Sequence, residues 1–86
     1  MDDVLARIPL DAIRVFETTA RLNSFTRAAQ DLGMTQAAVS WRIRDLEQRL
    51  GVPLFLRETP QVSLTAEGQG LASAAPEALG LLRRAA

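Results

Sequence analysis

The sequence predicts a mainly α-helical domain of three helices, a small β-hairpin and a further long helix. Three observations carry that expectation. Apolar residues recur at spacings of three and four through most of the chain. Cap residues and glycines fall where such runs begin and end, and one short stretch, Leu54 to Leu64, breaks the helical period around Pro60. With 86 residues the chain is one domain with a small core.

Residues 1–9 form a lead-in without a clear signal, and Pro9 with Asp11 reads as a helix entry. Leu10, Ile13, Phe16 and Ala20 then recur at helical spacing, so a first helix runs to about Arg21, where Asn23 and Ser24 break it. Ser24 can accept from the free amides of a second helix. Phe25, Ala28, Ala29 and Leu32 are that helix's apolar face, and Gly33 ends it. Thr35 caps a third helix that runs to Leu50, with Gly51 as its stop. Two helices joined this tightly cross steeply and need small residues where they touch, which Ala28 and Ala29 provide beneath Val39. The spacing Ala29, Gly33, Val39 is that of a helix-turn-helix, here over about residues 25–44.

Val52 and Pro53 prevent continuation of the third helix. Leu54–Arg57 and Val62–Leu64 read as the two short strands of a hairpin, a wing over about 54–64. Thr65 caps the last helix, over 65–86, in which Gly68, Leu71, Ala75, Ala78, Leu82 and Ala85 alternate by three and four as a heptad seam. Pro76 lies off that seam and is expected to kink the helix or loosen its first half. Ile13, Phe16, Phe25, Leu32, Leu46 and Phe55 are assigned to the core.

Composition narrows the function. Cysteine and histidine are absent, which excludes disulfides, thiolate or imidazole metal sites and catalysis by either residue. The ten acids are scattered with no pair over an evident pocket, so no enzyme, no metal and no cofactor is expected. No apolar run approaches the length of a membrane helix and no secretory signal is present, which makes the cytoplasm the expected compartment. The formal net charge is zero, an unusual balance for a nucleic-acid binder. Between Ser24 and Arg57, however, five arginines stand against three acids.

The third helix is the informative one. At about 100° per residue, Val39, Ile43, Leu46 and Leu50 share an arc of roughly 60°, and Ala37, Trp41, Arg44 and Gln48 lie opposite. Trp41, the sole tryptophan, is therefore directed away from the core stripe. Gln36, Ala37, Ser40, Trp41 and Arg44 suit a helix in a DNA major groove. Gln can pair with adenine, Arg with guanine, Ala or an aromatic can touch a thymine methyl, and Ser can reach either edge. Each has a plainer alternative. Gln36 and Ser40 would serve as solvated positions, Arg42 and Arg44 as partners of Asp45, Glu47 or Gln48, and Trp41 as a residue packed on the wing or a partner chain. Arg42 lies off the outward centre and suits phosphate or solvent better than a base, and Arg27 with the free amides of the second helix also suits phosphate.

Four blocks, SFTRAAQDLGMTQAAVS (24–40), IRDLE (43–47), LGVPLF (50–55) and LTAEG (64–68), in this order and spacing, resemble the N-terminal winged helix-turn-helix of LysR-type transcriptional regulators. The resemblance spans about Leu10 to Gly70. It implies a winged helix-turn-helix over 10–64 followed by a dimerisation linker helix. It also implies a bacterial cytoplasmic homodimer, or higher oligomer at full length, that reads a dyad-symmetric operator in double-stranded DNA. By position, Gln36, Ala37, Ser40 and Trp41 would face bases, and Ser24, Thr26, Arg27, Thr35, Arg42, Arg44 and Arg57 the phosphates. Thr59, Pro60 and Gln61 would form the wing tip, and Leu71, Ala75, Ala78 and Leu82 the dimer interface. The chain departs from the family at Trp41, where a basic or polar residue is more usual, and at the wing, which lacks basic residues beside a glycine. Family members continue into an effector-binding domain that is absent here, so this chain is expected to bind no small-molecule effector. The competing class is a protein-interaction module in which Trp41 and the heptad helix form the working surface.

Overall fold

The computed structural model describes residues 3–56 and 62–86. Helix α1 spans Leu10–Leu22, α2 Phe25–Leu32, α3 Gln36–Leu50 and α4 Ala66–Ala85. The lead-in holds a 3-10 turn, Val4–Arg7, that the sequence does not signal; Asp3 caps it by accepting from the Leu5 amide at 3.0 Å. Among the described residues no helix is long and apolar enough to cross a membrane.

The local signals act as read. Asn23 ends α1 in the left-handed region at φ 54°. Ser24 Oγ accepts from Arg27 N at 3.1 Å, and Thr35 Oγ1 from Ala38 N at 3.0 Å. Gly33 turns the chain between α2 and α3 at φ 67°, a conformation that a side chain disfavours. The connection is three residues long, and α2 and α3 pack against each other. Ala28, Ala29 and Val39, expected beneath their contact, are buried.

The core lies between α1, α2 and α3, with Val15, Phe16, Val39, Ile43 and Leu46 fully buried. On α1 the buried face is Ala12, Val15, Phe16 and Thr19, and Leu10, expected in the stripe, is 57% exposed. Ile13, Phe25 and Leu32 only border the core, half-buried. Phe55 closes it from the wing side, its ring centroid 5.5 Å from that of Phe16 and 5.3 Å from that of Phe25. Tilted pairs at such distances add to simple area burial.

The two wing strands reduce, among the described residues, to one antiparallel bridge between Phe55 and Leu64, with Leu56 N donating to Ser63 O at 2.9 Å and Thr65 N to Leu54 O at 3.0 Å. Arg57, Thr59, Pro60 and Gln61 lie outside the described residues. A carboxylate fixes the wing's base: Glu47 Oε2 accepts from Leu54 N at 2.7 Å and Phe55 N at 3.2 Å.

Thr65 anchors α4. Its hydroxyl accepts from Gly68 N at 3.0 Å and donates to Pro53 O at 2.7 Å. The helix continues through Pro76 to Ala85 and packs along α1. This packing divides the residues of the predicted dimer seam. Ala75 is buried within its own chain and Leu71 is half-buried against the core, whereas Ala78 and Leu82 remain exposed beside Leu81. Spacing marks an apolar face but not what covers it. In α4 that face is shared between the chain's own α1 and the outside.

Candidate nucleic-acid interface

The outward side of α3 and the first turn of α2 form one surface. Gln36, Ala37, Trp41 and Arg44 are exposed and Ser40 is half-buried, while Val39, Ile43 and Leu46 hold the opposite side of the helix in the core. Trp41 is 64% exposed, high for so large an apolar ring. The two helix starts are joined by side chains: Thr26 Oγ1 donates to Gln36 Oε1 at 3.3 Å. That bond occupies one acceptor site of the Gln36 amide and leaves its NH2 group to donate to a partner.

The arginines divide. Arg42, assigned from sequence to phosphate, pairs with Asp11 of α1, Nη1 to Oδ2 at 2.5 Å, with both side chains partly exposed. Position 42 lies on the flank of α3 that faces α1, opposite the Gln36 flank, so its guanidinium meets an acid 31 residues away in sequence. Asp11 also receives Arg14 Nε at 2.9 Å. The hydrogen bond from Arg14 holds the Asp11 carboxyl below its usual range; desolvation opposes this, and the charges of Arg14 and Arg42 reinforce it. Arg49 is similarly engaged, with Asp45 at 2.8 Å and the Arg7 carbonyl at 3.1 Å. Among the described residues, Arg27 and Arg44 are the cations of this face without an acidic partner. Among the described arginines of that basic stretch, two, Arg27 on α2 and Arg44 on α3, are thus left to offer charge.

Ser24 and Thr35 use their hydroxyl oxygens as cap acceptors, which leaves each hydroxyl proton free to donate. Of the residues assigned to DNA, the structure therefore brings Ser24, Thr26, Arg27, Thr35, Gln36, Ala37, Ser40, Trp41 and Arg44 onto α2 and α3 at their joined ends or outward faces. Arg42 is turned away to α1. Two contributors are not evident from sequence. Asp11 reads there only as a first-turn acid, and Glu47 only as a partner for arginines on its own helix. The signal for Glu47 is its place one turn before Gly51, close to the amides of the returning chain. Among the described residues no group of acids is placed to hold a metal ion.

Comparison with known proteins bears on this surface. Residues 10–69 match the family model described as bacterial regulatory helix-turn-helix protein, lysR family. The chain is 48% identical over 80 residues to the carbapenem-hydrolyzing beta-lactamase transcriptional activator of Enterobacter cloacae, covering 93% of this chain and 27% of that protein. It is 56% identical over 61 residues to the glycine cleavage system transcriptional activator of Escherichia coli K12, covering 71% and 20%. The chain thus spans about a quarter of the length of the curated relatives it matches. Among solved structures, the BenM DNA-binding domain in complex with catB site 1 DNA aligns with TM-score 0.85 at 31% identity, over 90% of this chain and 86% of that one. The probable transcriptional regulator PA0477 from Pseudomonas aeruginosa aligns with TM-score 0.87 at 30% identity, over 95% and 28%. The family match over residues 10–69 and the structural likeness agree: the chain belongs to the lysR family of bacterial regulatory helix-turn-helix proteins and carries that family's DNA-binding fold.

Proposed function

We propose that the chain binds double-stranded DNA sequence-specifically, as a dimer on a dyad-symmetric operator, with one α3 in the major groove of each half-site. The observation that carries the reading is the outward face of α3, where Ala37 and Trp41 stand opposite the buried stripe, Gln36 and Ser40 lie on its flank, and the unpaired Arg44 is beside them. These side chains offer hydrogen-bond donors, acceptors and apolar surface, as base edges require, and Arg27 and Arg44 offer charge for the flanking phosphates. The DNA-bound BenM domain of similar fold supports the docking. Two half-sites about one helical turn apart would present both recognition helices to the same side of the duplex.

Dimerisation is assigned to the exposed remainder of α4, Ala78, Leu81 and Leu82, with Leu10 at the neighbouring start of α1. The protein acts in the bacterial cytoplasm as a transcription regulator and performs no catalysis.

The test begins with selection of bound sequences from a random duplex pool. A dyad motif is expected, and affinity for it should fall steeply with salt. Arg44→Ala should flatten the log–log salt slope by about 2 for a dimer, close to one unit for each phosphate left without its guanidinium. If Arg44→Ala and Gln36→Ala both leave operator affinity unchanged in folded protein, this docking is wrong. Binding to protein partners but to no duplex, insensitive to salt, would favour the interaction-module reading.

A further inference from the structure

We propose that Trp41 is a specificity-determining residue that reads the C5-methyl group of a thymine, so that one base pair in each half-site is recognised as T·A by apolar contact. The proposal rests on the DNA-binding reading above and adds the chemistry of one contact.

The tryptophan sits where a core role is impossible, 64% exposed on the side of α3 opposite Val39, Ile43 and Leu46. Among the described residues the ring contacts join Phe16, Phe25 and Phe55, and Trp41 takes part in none of them. Its neighbours toward the start of α3 divide the face. Gln36 and Ser40 form a polar flank, while Ala37, directly before Trp41 on the outward arc, is too small to cover it. Helical side chains lean toward the N-terminus, so the indole overlies the turn of α3 that enters a groove first.

What such a ring can recognise is limited. Indole has one N–H donor and no acceptor, so it cannot form the two-point pairs by which Gln or Arg select adenine or guanine. The apolar group on a major-groove base edge is the thymine methyl. Charge favours DNA over an apolar protein partner, because the unpaired Arg27 and Arg44 border this surface and would be left facing a partner without phosphates.

The experiment removes the methyl alone. Starting from a duplex selected by the wild-type chain, each thymine is replaced singly by deoxyuridine, and binding is measured for wild type, Trp41→Ala and Trp41→Phe. Wild type should lose about fourfold in affinity at one position per half-site, the worth of burying one methyl group. A 5-methylcytosine placed there should bind better than cytosine. Trp41→Ala should bind thymine and deoxyuridine alike at that position, with its circular dichroism and unfolding midpoint unchanged, and Trp41→Phe should keep part of the discrimination. If wild type is indifferent to deoxyuridine everywhere, or Trp41→Ala remains as sensitive as wild type, the methyl assignment is overturned while DNA binding stands. If wild type enriches no sequence at all, the DNA-binding reading itself has failed.

Discussion

Two glycines in the first turns of α4 should respond to the same substitution with opposite signs. In a helix interior, alanine is favoured over glycine by about 1 kcal/mol. Gly70 has nothing within 4 Å of the place where a Cβ would stand, so Gly70→Ala should stabilise the chain by about that amount. At Gly68 a Cβ would lie 2.1 Å from the Leu54 carbonyl oxygen, 3.0 Å from its carbon and 3.1 Å from Leu64 Cδ2. The obstruction is backbone, so relief requires the start of α4 to move off the wing's base. That movement strains the Thr65 N to Leu54 O bond of 3.0 Å and the packing of Leu54, which is 1% exposed. Overpacking costs about 1–3 kcal/mol and loss of the hydrogen bond about 1 more. Against a propensity gain of about 1, Gly68→Ala should destabilise by about 1–3 kcal/mol, a large share of the ~4–13 expected for a domain of this size. The assay is urea unfolding of both variants and wild type at one protein concentration, since the proposed dimerisation would make the midpoint concentration-dependent. A Gly68→Ala chain that gains stability as Gly70→Ala does would refute the close approach of α4 to Leu54.

Other outcomes follow from single interactions. Glu47→Ala leaves the Leu54 and Phe55 amides without their carboxylate and should cost about 2–4 kcal/mol in unfolding free energy, with Glu47→Gln recovering part of it. Ser24→Ala removes the α2 cap and should cost about 1 kcal/mol by the same measurement. Thr26→Ala frees the Gln36 oxygen, so sequence selection should shift its base preference toward adenine, which the amide then pairs through both atoms; a uniform loss of affinity would instead make Thr26 a phosphate ligand. Asp11 has a lowered carboxyl pKa in the folded state, so its contribution to stability is present above the ordinary carboxylate value of 3.8 and is lost as pH falls through the lower folded value. Wild type should therefore exceed Asp11→Asn in stability at neutral pH, with the difference closing in that acidic window; a difference that persists unchanged below it would remove Asp11 from the linkage.

The sequence by itself determined the four α-helices and which side of α3 faces outward. Caps and left-handed turns are local: Ser24, Thr35 and Thr65 bond amides three residues on, and Asn23 and Gly33 adopt conformations that need no distant partner. The side of α3 that faces away follows from helical periodicity alone, which is why Trp41 falls outside the core whatever the other helices do. Tertiary structure decided what periodicity cannot encode, namely which distant group meets each face. Arg42 found Asp11 across α1, Glu47 turned to the wing's amides, and Leu71 and Ala75 were drawn into their own chain, leaving Ala78 and Leu82 outside. Charges and apolar faces are satisfied by whichever complementary surface the packing brings near, and that choice depends on helix crossings set by many side chains together.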